Sequence, residues 1–247
     1  MIAARPASAI LLAATVMLLM GCGRMSGRPT PGGESGQPAS VLSFAQLYSQ
    51  NCAGCHGAEG RDGAAIPLAD PLYQALVSDE TLRQTISNGQ KGSRMPAFAQ
   101  PAGGTLTAEE IEALVRGMRH SWSKPGVLSG QNPPAYAAQK NGDPQRGEQV
   151  YGAYCASCHG AVGQPPGKAG AVVDRSFLSL VSDQALRTIV IIGRPDLDAP
   201  DWRNNLPGHP MADQQITDLV AWLSAQRGGG ETRTPSRRTL TEGGENR

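Results

Sequence analysis

Asn51-Cys52-Ala53-Gly54-Cys55-His56-Gly57-Ala58 returns 103 residues later as Tyr154-Cys155-Ala156-Ser157-Cys158-His159-Gly160-Ala161. The echo extends on both sides. Leu76-Val77-Ser78-Asp79-Glu80-Thr81-Leu82-Arg83 is matched by Leu180-Val181-Ser182-Asp183-Gln184-Ala185-Leu186-Arg187, and Ile111, Leu114, Val115 and Met118 by Ile216, Leu219, Val220 and Leu223. The offset drifts only from 103 to 105, so one architecture is written twice with small insertions. Phe44, Leu47 and Tyr48 fall at i, i+3 and i+4. Asp143-Pro144 supplies a helix cap and a first-turn proline ahead of Val150, Tyr151 and Tyr154. Ser78 and Ser182 open a middle helix that Gly89 and Gly193 close, and Thr107-Ala108-Glu109-Glu110 is a capping box before one apolar stripe. No alternating strand pattern appears. The expected fold is all-α, with two tandem domains at 41–122 and 143–227 joined by a Pro-rich linker at 123–142.

Cys-x-x-Cys-His is the pattern that attaches haem c. Two thiols add across the vinyl groups of a porphyrin, and the histidine that follows is placed under the ring to bind iron. Cys52, Cys55 and His56 would serve one haem, and Cys155, Cys158 and His159 a second. A redox dithiol would leave both histidines without a task. A four-cysteine zinc site would have to join pairs lying in separate repeats. Composition agrees with a cofactor-filled core: the chain has only 3 Phe, 3 Trp and 5 Tyr in 247 residues, with 31 Gly and 19 Pro. A formal charge of +1 and the lack of a basic stripe speak against nucleic acid as a partner.

With these motifs in both repeats, the sequence resembles the class I cytochrome c family over most of its length. The resemblance implies a few helices wrapped round each of two covalent haem c groups. It also implies that a methionine before the last helix is the sixth iron ligand, and Met95-Pro96-Ala97-Phe98 fits that role. Thioether ligation favours ferrous iron and raises the potential. The same resemblance implies that the Pro67 carbonyl accepts the free ring N–H of His56, with Pro165 or Pro166 doing so for His159. The second repeat departs from the pattern. Aligned through Gly89 and Gly193, Met95-Pro96-Ala97-Phe98 faces Ala199-Pro200-Asp201-Trp202. Three readings stay open there: Met211 as ligand through a folded-back loop, His209 in its place, or an open face. His120, at the end of a helix, is read as a C-terminal cation without a ligand role.

The N-terminal run from Ala9 to Met20 is apolar apart from Thr15 and too short to span a bilayer comfortably. It ends in Leu19-Met20-Gly21-Cys22, which resembles a bacterial lipobox, the other readings being an ordinary signal peptide with a chance cysteine or an uncleaved anchor. The expectation is a lipoprotein signal at 1–21, lipid on Cys22, a flexible tether at 22–40 and a polar disordered tail at 228–247. That arrangement leaves no cysteine over and places the protein, lipid-anchored, on the periplasmic or cell-surface side of a bacterial membrane. The expected work is electron transfer between redox protein partners or within a membrane electron-transport complex of a respiratory or photosynthetic chain. The competing expectation is a dihaem redox enzyme or gas-binding module with an open coordination position at the second haem.

Overall fold

The computed structural model describes residues 42–227. Signal, tether, Cys22 and tail lie outside the described residues. Each repeat folds as five helices in the same order. In the first these are α1 (Phe44–Asn51), α2 (Ala53–His56), α3 (Pro71–Leu76), α4 (Asp79–Asn88) and α5 (Ala108–Trp122). In the second they are α6 (Pro144–Tyr154), α7 (Ala156–His159), α8 (Arg175–Leu180), α9 (Asp183–Ile192) and α10 (Asp213–Gln226). Among the described residues there is no strand beyond two isolated bridges, so the all-α expectation holds.

Local chemistry explains the boundaries. Asp70 accepts from the Leu72 and Tyr73 amides, and Ser78 accepts from Thr81 N, satisfying first-turn donors that have no partner within the helix. Ser182 repeats the second contact with Ala185 N. Thr107 and Glu110 form the expected reciprocal box at the start of α5. At the start of α10 the cap residue is Ala212, which has no side chain to offer. Gln215 there accepts the Ala212 N–H instead, at 2.8 Å. The middle helices end at Gly89 and Gly193, whose φ values of +72° and +74° suit glycine.

The first and last helices of each repeat cross closely, α1 on α5 and α6 on α10, while α4 and α9 pack on those last helices. A glycine makes both crossings possible, but on opposite partners. In the first repeat Gly117 of α5 admits the Phe44 ring: a Cβ at 117 would lie 2.2 Å from it. In the second, Gly147 occupies the position of Phe44 and Trp222 that of Gly117, and a Cβ at 147 would lie 2.1 Å from the Asp218 carbonyl oxygen. Large and small residues have traded helices. The aromatic clusters follow, with Phe44, Tyr48 and Trp122 in one repeat and Tyr151 on Trp222 at 4.6 Å in the other.

Residues 42–227 lie within one compact unit, in which α3 of the first repeat touches α9 of the second. The connecting segment is bound down. Arg187, only 2% exposed, donates to the Ala135 and Tyr136 carbonyls and pairs with Asp213, which accepts the Ala135 N–H.

Candidate haem-binding sites

The two Cys-x-x-Cys-His segments have nearly the same backbone. Cys52 ends α1 and starts α2, with φ −119° and ψ −37°; Cys155 stands between α6 and α7 with φ −120° and ψ −34°. One short turn therefore carries both cysteines and the histidine in each repeat. Tyr48 Oη donates to Gly57 O at 2.9 Å, and Tyr151 Oη to Gly160 O at 2.8 Å, tying the first helix to the residue after the histidine. Gly57 and Gly160 take φ of +82° and +90° and turn the chain sharply away. The returning loop bonds back through Ala65 N to Cys55 O and Ala169 N to Cys158 O, both at 2.9 Å.

That loop supplies the carbonyl that orients each histidine, but from residues other than the prolines expected. His56 Nδ1 lies 2.7 Å from Ile66 O, and His159 Nδ1 lies 2.8 Å from Gly170 O. Pro67 acts one residue away: a residue before proline is held extended, and this fixes the peptide that presents the Ile66 oxygen. The Pro67 carbonyl itself accepts from Asp70 N. Pro165 and Pro166 lie instead against Gly160. With Nδ1 donating to a carbonyl, each ring has Nε2 as its lone-pair nitrogen, as an axial iron ligand requires.

The electrostatics favour this use over thiolate chemistry. Burial, then the neighbouring Cys55, pushes the Cys52 thiol up to about 11; burial and Cys158 push Cys155 up to about 12. Reactive dithiols need the opposite shift. Burial holds His56 below the usual imidazole range, with the Ile66 carbonyl opposing it, so the neutral ligating form is favoured. Among the described residues the four motif cysteines carry no disulfide, and no cluster of three or more His, Cys, Asp or Glu suited to a bare metal ion occurs. Donor set and backbone thus fit haem c, which supplies its own nitrogen ligands and needs only axial ones from the chain.

Met95 is half-buried in the loop after α4, and its carbonyl accepts from Gln90 N at 3.1 Å. The corresponding bond in the second repeat runs from Arg194 N to Ala199 O at 2.9 Å. Met211 N donates to Trp202 O at 2.8 Å, as Leu106 N does to Phe98 O. The structure thus brings Met211 to the place of Leu106, where it is 2% exposed, and leaves His209 exposed on the preceding loop.

Residues 39–116 and 142–223 match the family described as cytochrome c oxidase, cbb3-type, subunit III. The chain belongs to that family. The match in two segments repeats the tandem division, and the chain is a dihaem cytochrome of class I type carrying covalently bound haem c. Curated relatives agree. It is 26% identical over 203 residues to the cbb3-type cytochrome c oxidase subunit FixP of Rhizobium meliloti, covering 78% of this chain and 63% of the relative. Against FixP of Sinorhizobium medicae the identity is 29% over 137 residues, covering 51% and 40%. A thiosulfate dehydrogenase of Stutzerimonas stutzeri is 29% identical over 123 residues, covering 46% and 39%. The chain therefore spans between 39% and 63% of the length of these three relatives. No helix among the described residues is long and apolar enough to cross a membrane.

The sequence reading names the cysteines and histidines but not Ile66, Gly170, Tyr48 or Tyr151, which the structure ties to the same turns. The two tyrosines had a signal, since both stand four residues before the first motif cysteine. The two carbonyls had none.

Proposed function

We propose that this cbb3-family chain passes electrons between redox partners in a respiratory chain, on the periplasmic side of a bacterial membrane, through one haem c in each repeat. Cys52 and Cys55 hold the first haem by thioether bonds and Cys155 and Cys158 the second, with His56 and His159 as axial ligands. Met95 completes the first site. The haem iron supplies reversible one-electron chemistry, while the chain fixes orientation and excludes water. Lipid on Cys22 belongs to the same reading and would tether the domains to the membrane. The observation that carries the proposal is the doubled arrangement of Cys-x-x-Cys-His turn, tyrosine tie and carbonyl-oriented imidazole.

Potentiometric titration of the holoprotein, followed optically, tests it. Two reversible one-electron transitions are expected, together with rapid electron exchange with a small soluble cytochrome c as probe partner. Met95→Ala should lower the potential of one transition and leave the other in place, because the thioether no longer favours ferrous iron. Turnover of thiosulfate by the purified chain, with no exchange with the protein probe, would contradict the carrier reading.

A further inference from the structure

We propose that the haem of the second repeat has no sixth ligand from the chain, and that its ferrous iron takes a small neutral diatomic molecule of the carbon monoxide or nitric oxide class on that face. The inference rests on the haem c reading above and adds a binding site to it.

The sixth-ligand loops of the two repeats are built alike. At Gly89 an added Cβ would lie 2.7 Å from Met95 O, 2.7 Å from the Pro96 carbonyl carbon and 2.8 Å from Ala97 N. At Gly193 the distances are 2.7 Å to Ala199 O, 2.7 Å to the Pro200 carbonyl carbon and 2.8 Å to Asp201 N. Met95 and Ala199 thus meet the glycine that ends the preceding helix at the same backbone distances, although the second loop reaches that point through a 3-10 turn at Pro195–Leu197. Where the first repeat offers a thioether, the second offers a methyl group, which has no lone pair.

Neither later candidate reaches that place. Trp202 and Met211 are joined by a backbone hydrogen bond equivalent to the one joining Phe98 and Leu106. The loop between them is one residue longer than its counterpart, and that residue is accommodated between the two anchored points. Met211 therefore fills a core position that leucine fills in the first repeat. The Asn205 amide nitrogen stands 3.8 Å from its sulfur. His209 is exposed, and its backbone N–H donates to Leu206 O at 3.0 Å in a surface turn. To bring Met211 to the place of Met95, its backbone bond to Trp202 would have to break and its buried side chain leave the core, while His209 would have to leave its surface turn. Meanwhile His159 holds the orienting bond seen at His56, so the other axial position stays furnished. An imidazole-ligated ferrous haem with a free face binds π-acceptor diatomics, and the surroundings of that face set which ones enter.

The test uses full-length holoprotein, with haem content measured first and carbon monoxide as the probe. Two haems per chain are expected, one low-spin and one high-spin by electron paramagnetic resonance when ferric, with one carbon monoxide bound per chain when ferrous. Ala199→Met should restore a low-spin second haem and abolish binding. Met211→Leu and His209→Ala should leave the stoichiometry at one, and Met95→Ala should raise it to two. Two low-spin haems inert to carbon monoxide would overturn this inference while leaving the electron-carrier proposal standing. So would a rise in stoichiometry with Met211→Leu or His209→Ala. Fewer than two haems per chain would overturn both.

Discussion

Asp218 is buried at 3% exposure yet fully engaged. Arg146 Nε donates to it at 2.8 Å, as do the Asp143 N–H and the Gln214 amide, also at 2.8 Å. Foremost among these, the Arg146 bond holds the Asp218 carboxyl below the usual carboxylate range. Its folded pKa lies below its unfolded value, so its contribution is complete above the ordinary aspartate value of about 3.9 and disappears as pH falls through the lower one. Asp218→Asn is expected to cost about 1–3 kcal/mol at neutral pH, with the difference from the parent chain vanishing in acid. Thermal melts at a series of pH values check both parts. The motif residues were legible because five adjacent letters carry the chemistry. The carbonyls of Ile66 and Gly170 were not, since any residue has a carbonyl and loop geometry alone selects one. The two loops also differ in length, with ten residues from His56 to Ile66 and eleven from His159 to Gly170. Pro67→Ala keeps the Ile66 carbonyl but loosens the peptide that presents it, so it should shift the optical spectrum of the first haem only slightly and leave the second unchanged.

The first, middle and last helices of each repeat followed from sequence because periodicity and capping are local, whereas the short α2, α3, α7 and α8 did not. The exchange of glycine between crossing helices was not readable, because it concerns pairs about seventy residues apart that meet only once the helices cross. Gly147→Ala pushes a methyl group against the Asp218 backbone carbonyl, which cannot rotate aside, and should destabilise the second repeat by about 1–3 kcal/mol. Chemical denaturation followed by far-ultraviolet dichroism measures this. The two guanidiniums that hold the turn before the middle helix were hidden for the same reason. Arg119 donates to the Gln74 and Val77 carbonyls and pairs with Asp79. Arg227 donates to the Leu178 and Val181 carbonyls and pairs with Asp183. The first three acceptors have the second three as their equivalents, but the arginines approach from positions one helical turn apart in the repeat alignment. Function persisted at this place while residue correspondence did not.

For the molecule as a whole, the telling contact is Arg194, whose Nη2 donates to Gly63 O at 3.0 Å while its fork pairs with Asp196. The side chains of the pair are 12% and 13% exposed, so water competes weakly for them. Gly63 lies in the loop that returns to Cys55 and His56, and Arg194 begins the loop that ends at Ala199. One side chain therefore joins the loop after α9 in the second repeat to the loop after the Cys-x-x-Cys-His turn in the first. Arg194→Met should retain both haems and the helix content but separate the melting of the two repeats, as calorimetry of the holoprotein would show by a broadened or split transition. The linker composition of 123–142 was legible as a connection, whereas its anchoring through Ala135 and Tyr136 depended on a buried arginine in another helix. Every scale leads back to whether two porphyrins are bonded to this polypeptide. Intact-mass spectrometry of protein made in a host with haem-attachment machinery, with absorption spectra of the same sample, tests that most directly. The expected result is the polypeptide mass plus two haems, with a Soret band that survives acid–acetone extraction. Bare polypeptide mass without that band would contradict it.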